Sequence, residues 1–401
     1  MSPEFLPALP PAFSQATVFG LLVVIGLLAG EALRRYATLP RILGYVLAGA
    51  ALGPHGAGLI TDDLLFDLRL LIDLAIGLIV FELGFRLDYQ WLRHNRWLFV
   101  TAVAESLFCF GAIFGALVFF DFRPLLAAMA AAIGTATSPA IVMLIVHDLR
   151  AQGQITERLL LLTAVNSVFA YVLLTLLLPF LHLQHEAGWE HALLHPLYLL
   201  WGSALAGYLA CRLMLAIAAW LGKREETQFI LLVSMVVVAV GVAHALKLSV
   251  SLTLITFGVL ARNLDKGYAV LPVHFGHGQQ LFFVILFVLV GASLEFTAFN
   301  IAAAAVVTAY IVMRFLGKAL ALLAFGPLSG TNASGAGLLA VALVPLSGSA
   351  VVMVRDTTTL YPEFGRELAA VVLSAVVILE LVGPLATQFA LRRAGEAHPG
   401  G

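Results

Sequence analysis

Thirteen apolar runs cover the chain from about residue 13 to residue 391, separated by short polar or Gly/Pro-rich breaks. They lie near 13–33, 41–57, 64–87, 97–121, 124–147, 157–181, 193–221, 227–246, 249–263, 277–297, 300–325, 333–356 and 364–391. Most approach the roughly 20 apolar residues that a helix needs to cross a bilayer. None alternates apolar and polar residues as a barrel strand would. The second and ninth runs are short. The fifth is interrupted at Pro139, within Thr137-Ser138-Pro139, and the twelfth at Pro345-Leu-Ser347-Gly348-Ser349. Lipid tolerates a broken helix only where protein or a water-filled cavity satisfies the freed backbone groups. In transporters such breaks sit near the midplane and form the binding site. The pattern predicts an all-α polytopic membrane protein of about 13 transmembrane helices.

The two interrupted runs resemble each other. Ala140-Ile-Val-Met aligns with Ala350-Val-Val-Met at an offset of 210 positions. The Gly84 that closes the third run aligns with the Gly291 that closes the tenth, at an offset of 207. The short second run likewise matches the short ninth. Seven runs separate the copies, an odd number, so the copies are inverted in the membrane. The expected organisation is one membrane domain over 1–401: a first inverted repeat at 13–181, a connecting helix at 193–221 and a second repeat at 227–391. Two such breaks related by a two-fold axis in the membrane plane would cross. Their half-helix N-termini would then carry partial positive charge and their C-termini partial negative charge.

Composition narrows the class. Of 401 residues, 61% are hydrophobic and 11% charged, where a soluble domain carries roughly 25% charged residues. The net charge of −1 gives no basis for nucleic-acid binding. Cys109 and Cys211 both fall inside apolar runs, as core- or lipid-facing thiols rather than a disulfide or metal site. The start MSPEFLPALPPAF has neither a basic n-region nor a small-residue cleavage site, so a removable signal peptide is not expected, and no soluble domain is expected after Arg393. Lys and Arg in the loops are unevenly shared, fourteen on one side and five on the other. The richer side is expected to be cytoplasmic. That orientation places the N-terminus outside and the C-terminus inside, in what is expected to be a bacterial inner (plasma) membrane. The stretch HLQHEAGWEHALLH, with four histidines, then reads as a solvated outer loop.

Ionisable residues inside apolar runs are candidates for function, because each costs several kcal/mol unless paired or wet. Glu31 can reach Arg34 along its own helix, and Asp73 can reach Arg69. Arg212 and His244 read as snorkelling or bundle-bonded groups. Glu105 and Glu380 lie near mid-run with no local partner. Glu82 sits deep in the third run, in Ile-Val-Phe-Glu-Leu-Gly-Phe, with no basic residue within four positions. Arg314 and Lys318 place two cations on one face of the eleventh run, where they require anions. Glu82 and the carbonyl ends of the broken helices are the expected partners. Thr135, Thr137, Ser138, Asn166, Ser167, Ser347 and Ser349 supply the hydroxyl and amide oxygens that could replace the hydration shell of a hard monovalent cation. Nothing suggests an enzyme, a cofactor or a metal cluster: there is no nucleophile–base pair and no nucleotide-binding loop.

These residues together resemble the membrane domain of the monovalent cation/proton antiporters, the sodium/proton exchanger superfamily. The resemblance is carried by Gly44-Tyr-Val-Leu-Ala-Gly-Ala-Ala-Leu-Gly-Pro54, Val80-Phe-Glu-Leu-Gly-Phe, Thr135–Met143, Phe282–Glu295, Arg314-Phe-Leu-Gly-Lys318 and Glu380-Leu-Val-Gly-Pro-Leu. It implies a thirteen-helix fold with crossed broken helices and a homodimer in the bilayer. It also implies elevator-type exchange of Na⁺ or K⁺ for protons, with one carboxylate binding either ion. In the family the sixth helix usually ends its polar pair in Asp; here the pair is Asn166-Ser167. The fifth-helix Thr-Asp-Pro of many members is Thr137-Ser138-Pro139 here, and the usual carboxylate partner of the helix-eleven Arg is replaced by Leu162. Glu82 matches the third-helix acid of the family's electroneutral branch. The expected ion/proton site is therefore Glu82 with Thr137, Ser138, Asn166 and Ser167. Arg314 and Lys318 compensate charge, and Pro139, Pro345, Ser347, Gly348 and Ser349 form the breaks. Two alternatives stay open: a non-transporting or sensory paralogue of the fold, and a carrier or channel for another small ion.

Overall fold

The computed structural model describes residues 15–54, 56–85, 87–89, 93, 95–184, 189–222, 225–265, 276–293, 301–346 and 348–397. Among them the regular secondary structure is helical. The helices are α1 (Gln15–Ala37), α2 (Arg41–Leu52), α3 (Asp62–Asp67), α4 (Arg69–Phe85), α5 (Arg96–Phe119), α6 (Pro124–Thr135), α7 (Pro139–Asp148) and α8 (Gln154–Gln184). There follow α9 (Trp189–Leu221), α10 (Glu225–Ala245), α11 (Val250–Leu264), α12 (Gly276–Ala292), α13 (Ile301–Phe325), α14 (Ala333–Ala342), α15 (Gly348–Leu360) and α16 (Pro362–Arg393). Among the described residues each of the thirteen apolar runs is helical, the third, fifth and twelfth as two helices each. Eight helical stretches among the described residues are long and apolar enough to cross a membrane. Large apolar side chains such as Trp201, Leu205, Leu209, Trp220 and Phe389 stand exposed along them, as lipid-facing residues would.

By packing, the chain forms two compact units. One comprises Met1–Ile72 with His277–Phe296, the other Asp73–Gly276 with Thr297–Gly401. In the first unit, backbones meet at glycines: a Cβ on Gly53 would stand 2.7 Å from the Ala292 carbonyl oxygen. Small residues let apolar helices approach this closely in a membrane. Glu31 bonds Arg34 as its spacing predicts, and also reaches Arg35 and, at 3.2 Å, Arg41 at the start of α2.

The second unit holds both breaks. The span Pro124–Asp148 is almost wholly enclosed, with 94% of its window buried, against 33% for Arg96–Phe119. The broken segment is therefore interior. Its break follows from local chemistry. Pro139 disfavours helical backbone at the residue before it, and Ser138 is extended (φ −66°, ψ 110°). Pro139 then opens α7 as its first residue, and the Ser138 hydroxyl caps it by accepting from the Ile141 N–H. Asn332 caps α14 in the same way through the Gly335 N–H at 2.7 Å.

Two expectations change. The third apolar run is bent into α3 and α4 at Leu68. The histidine-rich stretch is not an open loop: His182 lies in α8 and His195 in α9, and only 185–188 fall outside the described residues. The His182 ring bonds the Tyr361 hydroxyl at 2.6 Å and the His195 ring at 3.0 Å. Asp73 meets His244 of α10 at 3.0 Å; the Arg69 side chain is outside the described residues.

Candidate functional site

The two breaks meet each other directly. The Ser138 N–H donates to the Pro345 carbonyl at 3.0 Å, and the Thr137 hydroxyl reaches the Leu343 carbonyl at 3.5 Å. Helix α13 crosses beside them and delivers Arg314 and Lys318, both sealed from solvent.

Arg314 is spent on backbone. Its Nε donates to Gly134 O at 2.8 Å, Nη1 to Val344 O at 2.6 Å, and Nη2 to Ala136 O at 2.7 Å, Leu343 O at 3.3 Å and Pro345 O at 3.2 Å. These carbonyls close the C-terminal ends of α6 and α14. Each helix C-terminus carries about −0.5 of an elementary charge. Two of them offset one guanidinium, so Arg314 needs no carboxylate. Its planar fork of donors suits this bridging, which a point-charge ammonium could not reproduce.

Lys318, one turn further along α13, takes the carboxylate. Its Nζ lies 2.5 Å from Glu105 Oε1 and donates also to Thr135 O at 3.1 Å and Thr137 Oγ1 at 3.3 Å. The partner that the sequence left unassigned is thus Glu105 on α5, not Glu82. Helix contact explains why they reach each other. A Cβ on Gly317 would stand 2.7 Å from Phe108 O and 2.8 Å from Cys109 Cα. The glycine brings the α13 backbone onto α5 beside the pair.

The expected cradle assembles around this pair. Asn166 Nδ2 donates to Thr137 Oγ1 at 3.3 Å, and its Oδ1 accepts from Ser106 at 2.8 Å. Ser167 donates to Thr163 O at 2.8 Å and to Thr137 O at 3.3 Å. Ser106 is an addition that residue type alone did not single out. Glu105 Oε2 is buried and accepts no hydrogen bond among the described residues. Glu82 is buried on α4, where Phe81 packs edge-on against Phe257 of α11 and Gly84 abuts Ile255 O. Ser347 lies outside the described residues; Gly348 opens α15. Both cysteines are buried and free.

A buried carboxylate–ammonium pair and a ring of hydroxyl and amide oxygens, set where two interrupted helices cross, define a membrane carrier of small ions. The family model for transmembrane sodium/hydrogen exchangers matches residues 19–393, and the chain belongs to that family, one of transporters rather than enzymes. No individually curated protein matches the chain. Among solved structures, the sodium/proton antiporter MjNhaP1 of Methanocaldococcus jannaschii at pH 8 shares 16% identity and covers 94% of this chain and 95% of its own, with a TM-score of 0.65. An electron-microscopy map of the same antiporter gives 0.68 at 16% identity, over 95% and 98% of the two chains. At that identity the likeness is one of fold.

Proposed function

We propose that the protein exchanges a monovalent cation, Na⁺ or K⁺, for protons by alternating access, and that Glu105 carries the exchanged ion. The observation that carries this reading is the open Oε2 of Glu105, buried beside Lys318, Thr137 and Asn166. A carboxylate that binds either a proton or a cation couples the two by competition. The family's sixth-helix acid is absent at Ser167, and α5 supplies one to the same cradle. Thr137 and Asn166 oxygens are the hard ligands a dehydrated cation requires. Arg314 holds the crossing together from its other side. Arg314 and Lys318 are both satisfied by the protein, which leaves neither of them spare to attract an anion and counts against the anion-carrier alternative.

In this reading the halves 13–181 and 227–391 are inverted copies joined by the helix at 193–221, and the carrier works as a homodimer with its C-terminus in the cytoplasm. Glu82, the acid expected from the sequence, is the competing carboxylate.

Proteoliposomes separate these. Internal pH is followed after external pulses of Na⁺, K⁺ or Li⁺, for wild type, Glu105→Gln and Glu82→Gln. Wild type is expected to move protons and Glu105→Gln to stop. Wild type that never moves protons ends the exchange reading. Exchange lost in Glu82→Gln but kept in Glu105→Gln transfers the role to Glu82.

A further inference from the structure

Glu380 on α16 is fully buried, and neither carboxyl oxygen has a hydrogen-bond partner among the described residues. The exchange site described above does not use it. Two contacts fix where it stands. Thr387 donates to Ala342 O, at the end of α14, at 3.0 Å. One turn back, the α16 backbone at Gly383 meets the second break: a Cβ there would stand 2.8 Å from Pro345 Cα. Residues 380, 383 and 387 share one helical face. Continuing the register by a turn sets Glu380 beside the residues that follow Pro345, at the entry to α15. Ser349, in the first turn of α15, carries a second buried oxygen without a partner among the described residues.

Backbone adds to the polarity. Pro384 lies inside α16 and has no N–H, so it cannot close the helical bond to the carbonyl four residues back, which belongs to Glu380. By register, a carboxyl, a carbonyl and a hydroxyl that lack their usual partners among the described residues thus fall near the second break.

Among the described residues, the elements packed on this face offer no counter-charge. Helices α6 and α14 contain no titratable residue. Helix α13 brings Tyr310, bonded to Ala130 O, with Arg314 committed to carbonyls and Lys318 to Glu105. His147 and Asp148 stand at the far end of α7, and the Arg355 and Asp356 side chains of α15 are outside the described residues. An ionised carboxylate buried with neither cation nor donor is strongly disfavoured, and such a group takes up a proton instead.

We infer that Glu380 is a second proton-binding site: its carboxyl is the neutral acid in this arrangement and exchanges its proton with water that enters beside Pro345. The proton-binding part stands without the exchange reading; its coupling to transport rests on that reading.

Infrared difference spectroscopy of the full-length protein in lipid, titrated with pH and exchanged into D₂O, tests the binding. Wild type should show a protonated-carboxyl band that titrates and shifts in D₂O, is absent in Glu380→Gln and is displaced in Glu380→Asp. Glutamine has the shape of the neutral acid, so that variant is expected to fold. Identical bands in wild type and Glu380→Gln would mean that the group is ionised throughout, and would overturn the site. A band that is lost in Glu380→Gln but never responds to pH or D₂O in wild type would overturn exchange with water. Where wild type transports, Glu380→Gln should change the number of protons moved per cation; an unchanged ratio overturns the coupling. Absence of wild-type transport bears on the exchange reading and leaves the infrared result decisive for Glu380.

Discussion

Glu105 and Lys318, 213 positions apart in the chain, meet at 2.5 Å with their side chains at 0% and 1% exposure. Breaking a buried pair by removing one partner costs about 3–5 kcal/mol, because a lone charge remains in a dry site. Glu105→Gln and Lys318→Met should each unfold earlier in detergent by about that amount. The double variant Glu105→Leu/Lys318→Met should recover most of the loss. A double variant no better than the worse single one would show that the pair is not a mutual compensation.

Arg314→Lys tests the bridging of the crossed helices. One ammonium cannot serve the carbonyls of Gly134, Ala136, Leu343, Val344 and Pro345 together. Each buried acceptor left without a donor costs about 1–3 kcal/mol. The expected outcome is a loss of about 3 kcal/mol or more in thermal or denaturant unfolding, with faster hydrogen exchange at residues 134–139 and 343–346. Stability equal to wild type would mean that the helix ends hold without the guanidinium.

Gly317→Ala introduces one methyl group against the backbone of Phe108 and Cys109. Overpacking of this kind costs about 1–3 kcal/mol. The displacement pushes α13 from α5 and so lengthens the Lys318–Glu105 contact. Cation-coupled proton movement should fall more than in Gly241→Ala, where nothing lies within 4 Å of the added carbon. Equal transport in the two variants would detach the glycine from the site.

The His182–His195 contact at 3.0 Å needs one ring nitrogen to donate and the other to accept. Two protonated rings cannot make it and repel each other. Wild-type unfolding temperature is therefore expected to drop on acidification, because a second proton removes the acceptor from this contact. His195→Gln should flatten that drop. A pH profile of unfolding identical in the two proteins would count against the contact as an acid-sensitive clasp.

The positions of the helices and their breaks were readable in order along the chain. Pro139 and Pro345 mark both interruptions because proline acts on its own backbone and that of the preceding residue, whatever the distant packing. Ser138 and Asn332 cap helix starts in the structure, a role not assigned to them from the sequence. The cradle of Thr137, Asn166 and Ser167 was legible too, since polar side chains in an apolar run must find partners. The histidine stretch misled because polar composition reads as a solvated loop. His182 instead bonds His195 of α9 and Tyr361, the residue between α15 and α16, and these bonds make the polar residues compatible with helix ends.

By itself the sequence determined a helical membrane protein, the two broken helices and the inventory of charges within the apolar runs, because bilayer length and backbone satisfaction act locally. Only tertiary structure decided which charges meet. Glu105 had no local partner, and Glu82 was the acid expected to answer Arg314 and Lys318. Packing of Gly317 onto α5 delivers Glu105 to Lys318, while the ends of α6 and α14 satisfy Arg314. The physical reason is that pairing depends on which faces of distant helices touch, and periodicity within one helix carries no record of its neighbour.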